Sequence, residues 1–424
     1  MSVTASTILS VLFAAACFAE NWPRFRGPNG QGGSAEQDVP LHWSATENVS
    51  WRAEVPGVGW SSPIVWGNHV FVTTATEGGE SGRVLAFDRR NGRLLWNREA
   101  VRQRPGHKEK RNSYASPTPA TDGKNVYACF GDGTVAALDF SGRIVWTNRD
   151  YPFYGQHGIA TSLALHDGVL IMARDGSSQG EDKKLGWQIP WDGGFVLALE
   201  ASTGKQRWKT GRGASRISHG TPAIWNAATG GWQVISEAGD VLQGFDGRTG
   251  ERLWTSEVIG EGKVPSVTLG DGVAFTSGGW GGKESIKAFR LGAGRGDRKG
   301  LDLVWEQRRG MPKVPSLLYL KPFLFAITDA GIATCLDAAT GTIVWQQRLE
   351  GTYSASPVAA EGRVYFLSDD GATTVIEAGR EFRVLARNAI GEPVQASPAI
   401  SQNQIFLRTD KHLFAIGVKG NTRK

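Results

Sequence analysis

The stretch VLAFDRRNGRLLW (Val84–Trp96) decides the fold. Its first apolar run ends at Asp88, a turn with Gly92 follows, and a second apolar run ends at Trp96. Glycine adopts the left-handed backbone of a tight turn without a Cβ penalty, and a carboxylate before the turn accepts hydrogen bonds from its amides. The stretch therefore predicts a β-hairpin with turn chemistry at its acid and a large flat side chain at its end.

The same pattern recurs along the chain. Its copies are VAALDFSGRIVW (Val135–Trp146), VLALEASTGKQRW (Val196–Trp208), VLQGFDGRTGERLW (Val241–Trp254), ATCLDAATGTIVW (Ala333–Trp345) and a stretched copy at Ile286–Trp305. With one more upstream, the repeated tryptophans are Trp51, Trp96, Trp146, Trp208, Trp254, Trp305 and Trp345. Their spacing of 40 to 62 residues suits four-stranded propeller blades, which need about 40–50 residues each.

A small residue stands two positions before most of the acids. The set is Ala86, Ala137, Ala198, Gly244, Ala288 and Cys335. A small side chain leaves a slot in which a neighbouring indole can lie flat, with its N–H bonded to a partner at the edge. We therefore predict that the seven tryptophans are structural docking residues.

A second repeated signal precedes each hairpin, namely a Ser or Thr that opens an apolar strand. The starts are Ser62, Thr118, Ser162, Thr221, Ser266, Ser316, Ser356 and Ser397. Eight starts predict an all-β, eight-bladed β-propeller with four-stranded antiparallel blades. The last repeat lacks a fourth strand, and VSWRAEV (Val49–Val55) can supply it, which closes the ring and removes two open sheet edges.

Composition agrees with this prediction. The 56 glycines, 16 tryptophans and 21% charged residues are typical of many short strands and turns, and no sustained helical periodicity follows the first twenty residues. The net charge of +6 is modest, and the basic stretch Arg102–Arg111 has no interleaved aromatic residues. We therefore expect no nucleic-acid partner.

The N-terminus predicts export. An apolar run at Ile8–Ala16 is too short to span a bilayer and precedes small residues, which is typical of a signal peptide over residues 1–19. A lipid anchor at Cys17 is the alternative. We expect an N-terminal extension at 20–48, the propeller at 49–417, a C-terminal tail at 418–424, no transmembrane span, and a periplasmic or cell-envelope location. Cys129 and Cys335 are predicted to be buried free thiols.

The repeat resembles the pyrroloquinoline-quinone-like (PQQ-like) repeats of quinoprotein alcohol dehydrogenases and of the propeller lipoprotein of the barrel-assembly machinery. The opening NWPRFRGPNGQG (Asn21–Gly32) and the later WSSP (Trp60–Pro63) are similar to a group of exported propellers common in planctomycetes. The resemblance covers nearly all of Asn21–Gly417. It implies the fold more strongly than an activity, because one propeller scaffold serves enzymes and adaptors.

Three kinds of function remain open, of which the first two follow from the resemblance. Quinoprotein dehydrogenases of this type hold PQQ beneath a vicinal disulfide, beside calcium, and this sequence has no adjacent cysteines. We therefore favour a non-catalytic scaffold without cofactor or metal that binds a protein partner of the envelope. A PQQ-dependent alcohol or sugar dehydrogenase with calcium is one alternative. A carbohydrate- or polymer-binding propeller that uses Trp187 and Trp191 of the inserted loop Arg174–Gly194 is the other.

Residues just before the eight strand starts are placed to line one rim of the central channel. The candidate rim residues are Trp60, Tyr114, His157, Arg216, His219, Lys263, Lys313, Tyr353 and Gln395. Lys263 and Lys313 occupy equivalent positions in adjacent repeats, with Arg216 and His219 one repeat before them. These residues predict a positive sector that attracts an anionic small molecule or an acidic partner.

Overall fold

Eight four-stranded antiparallel sheets make up the described part of the computed structural model, which covers residues 20–227, 230–281, 285–292 and 300–417. Blades 1 and 2 contain β2 Ile64–Trp66, β3 His69–Thr76, β4 Ser81–Asp88, β5 Leu94–Arg102, β6 Ala120–Thr121, β7 Asn125–Cys129, β8 Val135–Asp139 and β9 Ile144–Asn148. Blades 3 and 4 contain β10 Ala164–His166, β11 Val169–Arg174, β12 Phe195–Glu200, β13 Gln206–Gly211, β14 Ala223–Asn226, β15 Trp232–Glu237, β16 Val241–Asp246 and β17 Arg252–Glu257.

Blades 5 and 6 contain β18 Thr268–Gly270, β19 Val273–Thr276, β20 Ile286–Arg290, β21 Asp302–Gln307, β22 Leu318–Leu320, β23 Phe323–Ile327, β24 Ile332–Asp337 and β25 Ile343–Arg348. Blades 7 and 8 contain β26 Val358–Ala360, β27 Arg363–Leu367, β28 Ala372–Glu377, β29 Val384–Ala389, β30 Ala399–Ser401, β31 Gln404–Arg408, β32 His412–Ile416 and β1 Val49–Glu54. A single 3₁₀ turn at Glu77–Gly79 is the helical element seen among the described residues. The all-β, eight-bladed prediction is confirmed.

The N-terminal strand closes the ring as predicted. Strand β1 pairs antiparallel with β32, with Trp51 opposite Ala415 and Glu54 opposite His412. The sheet order is β1-β32-β31-β30, so the first strand is the outer strand of the last blade. Closure pairs the edges that an open eighth blade would expose.

The repeated tryptophans dock onto the following blade. Trp51 of blade 8 donates its indole N–H to the Arg89 carbonyl in the turn of blade 1 at 2.6 Å. Gly92 in that turn has φ +72°, and a Cβ there would lie 2.6 Å from the indole of Trp51. The glycine therefore serves both the turn and the close approach of the neighbouring ring. Five further tryptophans bond a carbonyl of the next blade in the same way: Trp96, Trp146, Trp208, Trp305 and Trp345.

Two details differ from the expected docking. The small residues lie directly opposite the tryptophan of their own blade, as Ala86 does opposite Trp96, so the slot they leave holds their own indole. Trp254 donates to the side-chain oxygen of Gln233 in its own blade at 3.1 Å instead of to blade 5. The turn of blade 5 includes residues 293–299, which lie outside the described residues.

The hairpin acids behave as turn residues. The carboxylate of Asp139 accepts the amides of Ser141 and Arg143, each at 3.0 Å. The hydroxyl of Ser141 and the guanidinium of Arg143 lower the pKa of Asp139 to about 2. These hydrogen bonds stabilise the charged carboxylate, so the acid belongs to the turn, as predicted.

Some predictions concern residues outside the described ranges. The signal peptide at 1–19, the lipid anchor at Cys17 and the tail at 418–424 all lie there.

Cys129 and Cys335 are buried free thiols, as predicted. Over the described ranges, no helix combines the length and apolar character required to cross a membrane.

Candidate functional site

The segment Asn21–Ser34 crosses one end of the central channel, and we call it the N-terminal plug. Trp22 exchanges backbone hydrogen bonds with Val65 of β2, each at 2.9 Å. At the other end of the plug, Gly32 and Ser34 bond the backbone of Ala359 in β26. Blades 1 and 7 lie on either side of the ring's closing blade, and the plug reaches blades 5 and 6 between these two points. It therefore runs across the channel at the end of the inner strands remote from their Ser or Thr starts.

A buried arginine fixes the plug. Arg26 is 1% exposed and donates to the Thr268 hydroxyl at 3.3 Å, the Gln31 carbonyl at 3.0 Å and the Leu317 carbonyl. Burial lowers the pKa of its guanidinium to about 9. Gln31 adds a bond from the Leu269 amide to its side-chain oxygen at 2.8 Å. The inner strands of blades 5 and 6 thus hold the plug by several buried hydrogen bonds, and the Phe25 ring is left facing the channel.

The eight strand-start hydroxyls surround the channel, and we call them the hydroxyl ring. The amide of each member donates to the hydroxyl oxygen of the member in the next blade, at 2.9 to 3.1 Å, in seven consecutive pairs. All eight residues line one cavity: Ser62, Thr118, Ser162, Thr221, Ser266, Ser316, Ser356 and Ser397. The repeated Ser or Thr therefore joins neighbouring blades at the channel wall.

That cavity is the candidate functional site. Its volume is about 650 Å³, and Phe25 of the plug contributes to its wall. Three indoles line it, from Trp60, Trp187 and Trp280. Pockets of about 300–1,000 Å³ with apolar walls and a few placed polar groups are typical ligand sites. With the plug across the far end, the cavity opens at the hydroxyl-ring end, which we call the mouth.

A pair of neutral histidines lies in the wall. The rings of His157 and His219 meet edge to face at 5.9 Å between centroids, and Trp187 meets His157 at 5.5 Å. Burial, and then the neighbouring His157, lower the pKa of His219 to about 3. Burial also lowers the pKa of His157, against the opposing effect of Glu109 and Glu261. Both imidazoles are therefore uncharged at neutral pH.

Four of the nine predicted rim residues line the cavity: Trp60, His157, His219 and Gln395. Tyr114 lies on Gly79, where a Cβ would be 2.1 Å from its ring, and its hydroxyl donates to the Gly106 carbonyl. Tyr353 is 2% exposed and its hydroxyl donates to the Glu350 carbonyl. Neither tyrosine is among the residues that line the cavity.

The expected positive sector is not formed as predicted, because Lys263 does not reach the rim. Lys263 is 2% exposed, and its ammonium forms an ion pair with the buried Glu237 carboxylate. Arg216 is bonded to Asp240, with its Nε 3.1 Å from both carboxylate oxygens. The Lys313 ammonium lies 5.7 Å from the Trp280 ring centroid. Sequence position identified these cations, but two of them are neutralised by carboxylates from a single hairpin, β15–β16 of blade 4.

Several wall residues carry no sequence signal that marks them as site residues. Glu109 and Arg111 come from the basic stretch Arg102–Arg111, Glu261 follows a glycine, and Trp280 lies in a hairpin of blade 5. Trp187 belongs to the inserted loop of blade 3, whose Trp187 and Trp191 the carbohydrate-binding alternative would use. It lines the cavity, whereas Trp191 packs where a Cβ on Gly193 would meet it at 2.3 Å.

The wall does not fit PQQ with calcium. Calcium requires six to eight oxygen ligands, mainly from carboxylates and carbonyls. Within the described ranges, no three His, Cys, Asp or Glu side chains are grouped so that they could hold a metal ion. Of the described charged side chains that line the cavity, two are carboxylates, Glu109 and Glu261, and one is a cation, Arg111. This balance also does not match a tricarboxylate.

The sequence was compared with protein-family models and with curated proteins. The family model described as outer membrane protein assembly factor BamB matches residues 38–150, 131–283 and 297–381. No curated protein matches the sequence.

Three solved structures share the fold. BamB from Moraxella catarrhalis is 13% identical, with a TM-score of 0.58, 86% of this chain covered and 96% of that chain. A europium-containing methanol dehydrogenase is 11% identical, with a TM-score of 0.66 and 94% and 89% covered. The quinohemoprotein alcohol dehydrogenase from Comamonas testosteroni is 13% identical, with a TM-score of 0.63 and 95% and 81% covered. At these identities the likeness concerns the fold, which adaptors and enzymes share.

Proposed function

The chain belongs to the PQQ-like β-propeller family whose model is described as outer membrane protein assembly factor BamB, and from this premise we propose that it is an exported, non-catalytic scaffold that binds a protein partner of the cell envelope at its mouth. The signal-peptide pattern of residues 1–19 supports export. The family supports an adaptor role, and the missing calcium-ligand set described above favours it over a dehydrogenase.

Exposed apolar side chains around the mouth carry the proposal. Val58, Ile189, Ile259 and Trp280 are 55%, 43%, 45% and 37% exposed. Trp280 lines the cavity, and each of the other three stands two residues from a lining residue. Apolar side chains grouped around a polar opening are typical of protein interaction sites, because their burial drives association.

A protein is favoured as the partner because these side chains lie on loops from blades 1, 3, 4–5 and 5, which a small ligand would not reach together. The loops surround a blind cavity, so a partner that covers them must rest on the rim. The polar groups between them, including Glu261 and Asp240, would form the hydrogen-bonding rim of such an interface.

Site-specific photocrosslinking in cells tests the proposal. A photoreactive residue at position 259 should crosslink a protein, and one at position 303, where Leu303 is 50% exposed on outer strand β21, provides the matched control. The crosslinked protein is then purified and its affinity for the chain measured. The change Ile259→Asp should weaken binding at least tenfold, and Leu303→Asp should leave it unchanged. Equal crosslinking at both positions, or unchanged affinity of Ile259→Asp, would refute the mouth as the binding surface.

The quinoprotein alternative has its own test. The purified chain is incubated with PQQ and calcium, its absorbance is recorded, and dye-linked alcohol and sugar oxidation is assayed. We expect no stoichiometric cofactor spectrum and no turnover. A bound-quinone spectrum accompanied by turnover would replace the scaffold proposal with a dehydrogenase.

A further inference from the structure

We propose that the blind cavity behind the mouth binds an uncharged oligosaccharide of two or three sugar rings. The cavity lies inside the channel, whereas the proposed protein-binding surface is the exposed rim, and Trp280 and Glu261 belong to both. It depends on three features of the wall: the unused donors of the hydroxyl ring, the three indoles, and the near balance of charge.

The hydroxyl ring offers donors to the cavity. Seven of the eight hydroxyl oxygens already accept a hydrogen bond from the backbone amide of a neighbouring member. Their lone pairs are therefore partly used, whereas their protons are not. Across the described contacts, none of the eight hydroxyls donates to a protein acceptor. A ring of O–H donors around a closed lumen suits a ligand with many oxygen acceptors.

Other polar side chains of the cavity wall supply the complementary hydrogen-bond acceptors. Glu109 and Glu261 present carboxylates, and Gln395 presents an amide group. The Glu261 backbone pairs with Trp280 at 2.8 and 3.1 Å, which fixes the loop that carries this carboxylate. A sugar hydroxyl both donates and accepts hydrogen bonds, so a sugar can bind the donors of the hydroxyl ring and these acceptors at the same time.

The indoles match the apolar faces of sugar rings. Trp60, Trp187 and Trp280 come from blades 1, 3 and 5 and line the same cavity. Flat aromatic side chains bury large apolar area while their N–H groups remain available for hydrogen bonds. The three indoles therefore offer apolar faces to the cavity from three different blades.

The charges of the lining side chains favour an uncharged ligand over the anionic ligand predicted from the sequence. Two carboxylates face one guanidinium across the cavity, Lys263 is neutralised by Glu237, and both histidines are uncharged at neutral pH. An anion would meet Glu109 and Glu261 without a compensating cluster of cations. An uncharged polyol carries the same oxygen acceptors without that repulsion.

Titration of the full chain with trisaccharides tests the inference. The probes are maltotriose, cellotriose and chitotriose, with trigalacturonic acid as the anionic counterpart, followed by calorimetry and by indole fluorescence. We expect at least one neutral trisaccharide to bind, with at least tenfold weaker binding by Trp187→Ala and unchanged binding by Trp191→Ala from the same loop. Glu261→Gln should weaken a neutral sugar about threefold, since one charge-assisted acceptor is lost.

Distinct results would overturn the inference. The inference is overturned if none of the neutral trisaccharides binds. It is also overturned if the chain prefers trigalacturonic acid and Glu261→Gln strengthens that binding. Melting temperatures of the two tryptophan variants establish that both fold. Since neither Trp187 nor Glu261 is the residue altered in the partner experiment, failure here leaves the mouth proposal to be judged by its own variants.

Discussion

Replacement of Trp208 by alanine tests the docking principle that builds the ring. The indole is 6% exposed, donates to the Gly247 carbonyl of blade 4 at 3.1 Å, and stacks on Phe245 with 6.5 Å between centroids. A Cβ on Gly250 would lie 2.5 Å from the ring, so the turn of blade 4 is shaped around it. Loss of a buried Trp costs about 3–5 kcal/mol, since the cavity left between two blades cannot close fully.

Chemical denaturation of the mature chain measures this effect. Trp208→Ala should lower the free energy of unfolding by about 3–5 kcal/mol, whereas Trp187→Ala, half-buried in the inserted loop, should lower it far less. Gly250→Ala provides a second probe from the other side of the contact, since it adds a clash and a strained φ of +75°. Equal losses for Trp208→Ala and Trp187→Ala would refute the distinction between docking and loop indoles.

Three further changes probe closure, the buried ion pair and the neutral histidine. Deletion of residues up to Val55 removes β1 together with the N-terminal plug and should broaden thermal unfolding, because β32 becomes an open edge and the bonds of Arg26 to blades 5 and 6 are lost; a truncated chain that melts like the full chain contradicts ring closure. Lys263→Met leaves the Glu237 carboxylate buried and unpaired and should cost about 3–5 kcal/mol, with most of it recovered when Glu237→Leu is added; a stable single variant would show that the pair is not needed. His219 has a pKa of about 3 when folded and near 6.5 when unfolded, so the unfolded chain binds more protons between these values and stability should fall as pH drops from 6.5 towards 3. His219→Gln should flatten that decline in melting temperature, and an unchanged slope would rule out this histidine as its source.

The fold could be predicted almost completely from the sequence because each blade repeats the same local chemistry. The pattern around Asp88, Gly92 and Trp96 specifies a hairpin by itself, and its recurrence counts the blades. Trp51 without a hairpin of its own indicated closure, and its pairing with β32 confirms it. These patterns depend on residues close together in sequence, so they can be interpreted without knowledge of the tertiary structure.

The site could be predicted only in part because it depends on which loops meet across the ring. The rule that residues before each strand start face the channel correctly placed Trp60 and Gln395, but it also selected Tyr353, which is buried. The fate of Lys263 depends on Glu237, 26 residues earlier in another strand. The plug was recognisable as the motif NWPRFRGPNGQG, but its path across the channel follows from contacts with blades far away in sequence.

Hydrogen–deuterium exchange of the chain, alone and with the partner identified by crosslinking, shows whether the partner covers the mouth. We expect slower exchange on binding in the mouth loops around residues 56–61, 187–191, 258–262 and 278–281, with little change in outer strands β5, β9 and β21. These strands also expose apolar side chains, at Leu94, Ile144, Val145 and Leu303, and therefore form the natural competing surface. Protection confined to the outer strands, with the mouth loops exchanging as in the free chain, would contradict this expectation.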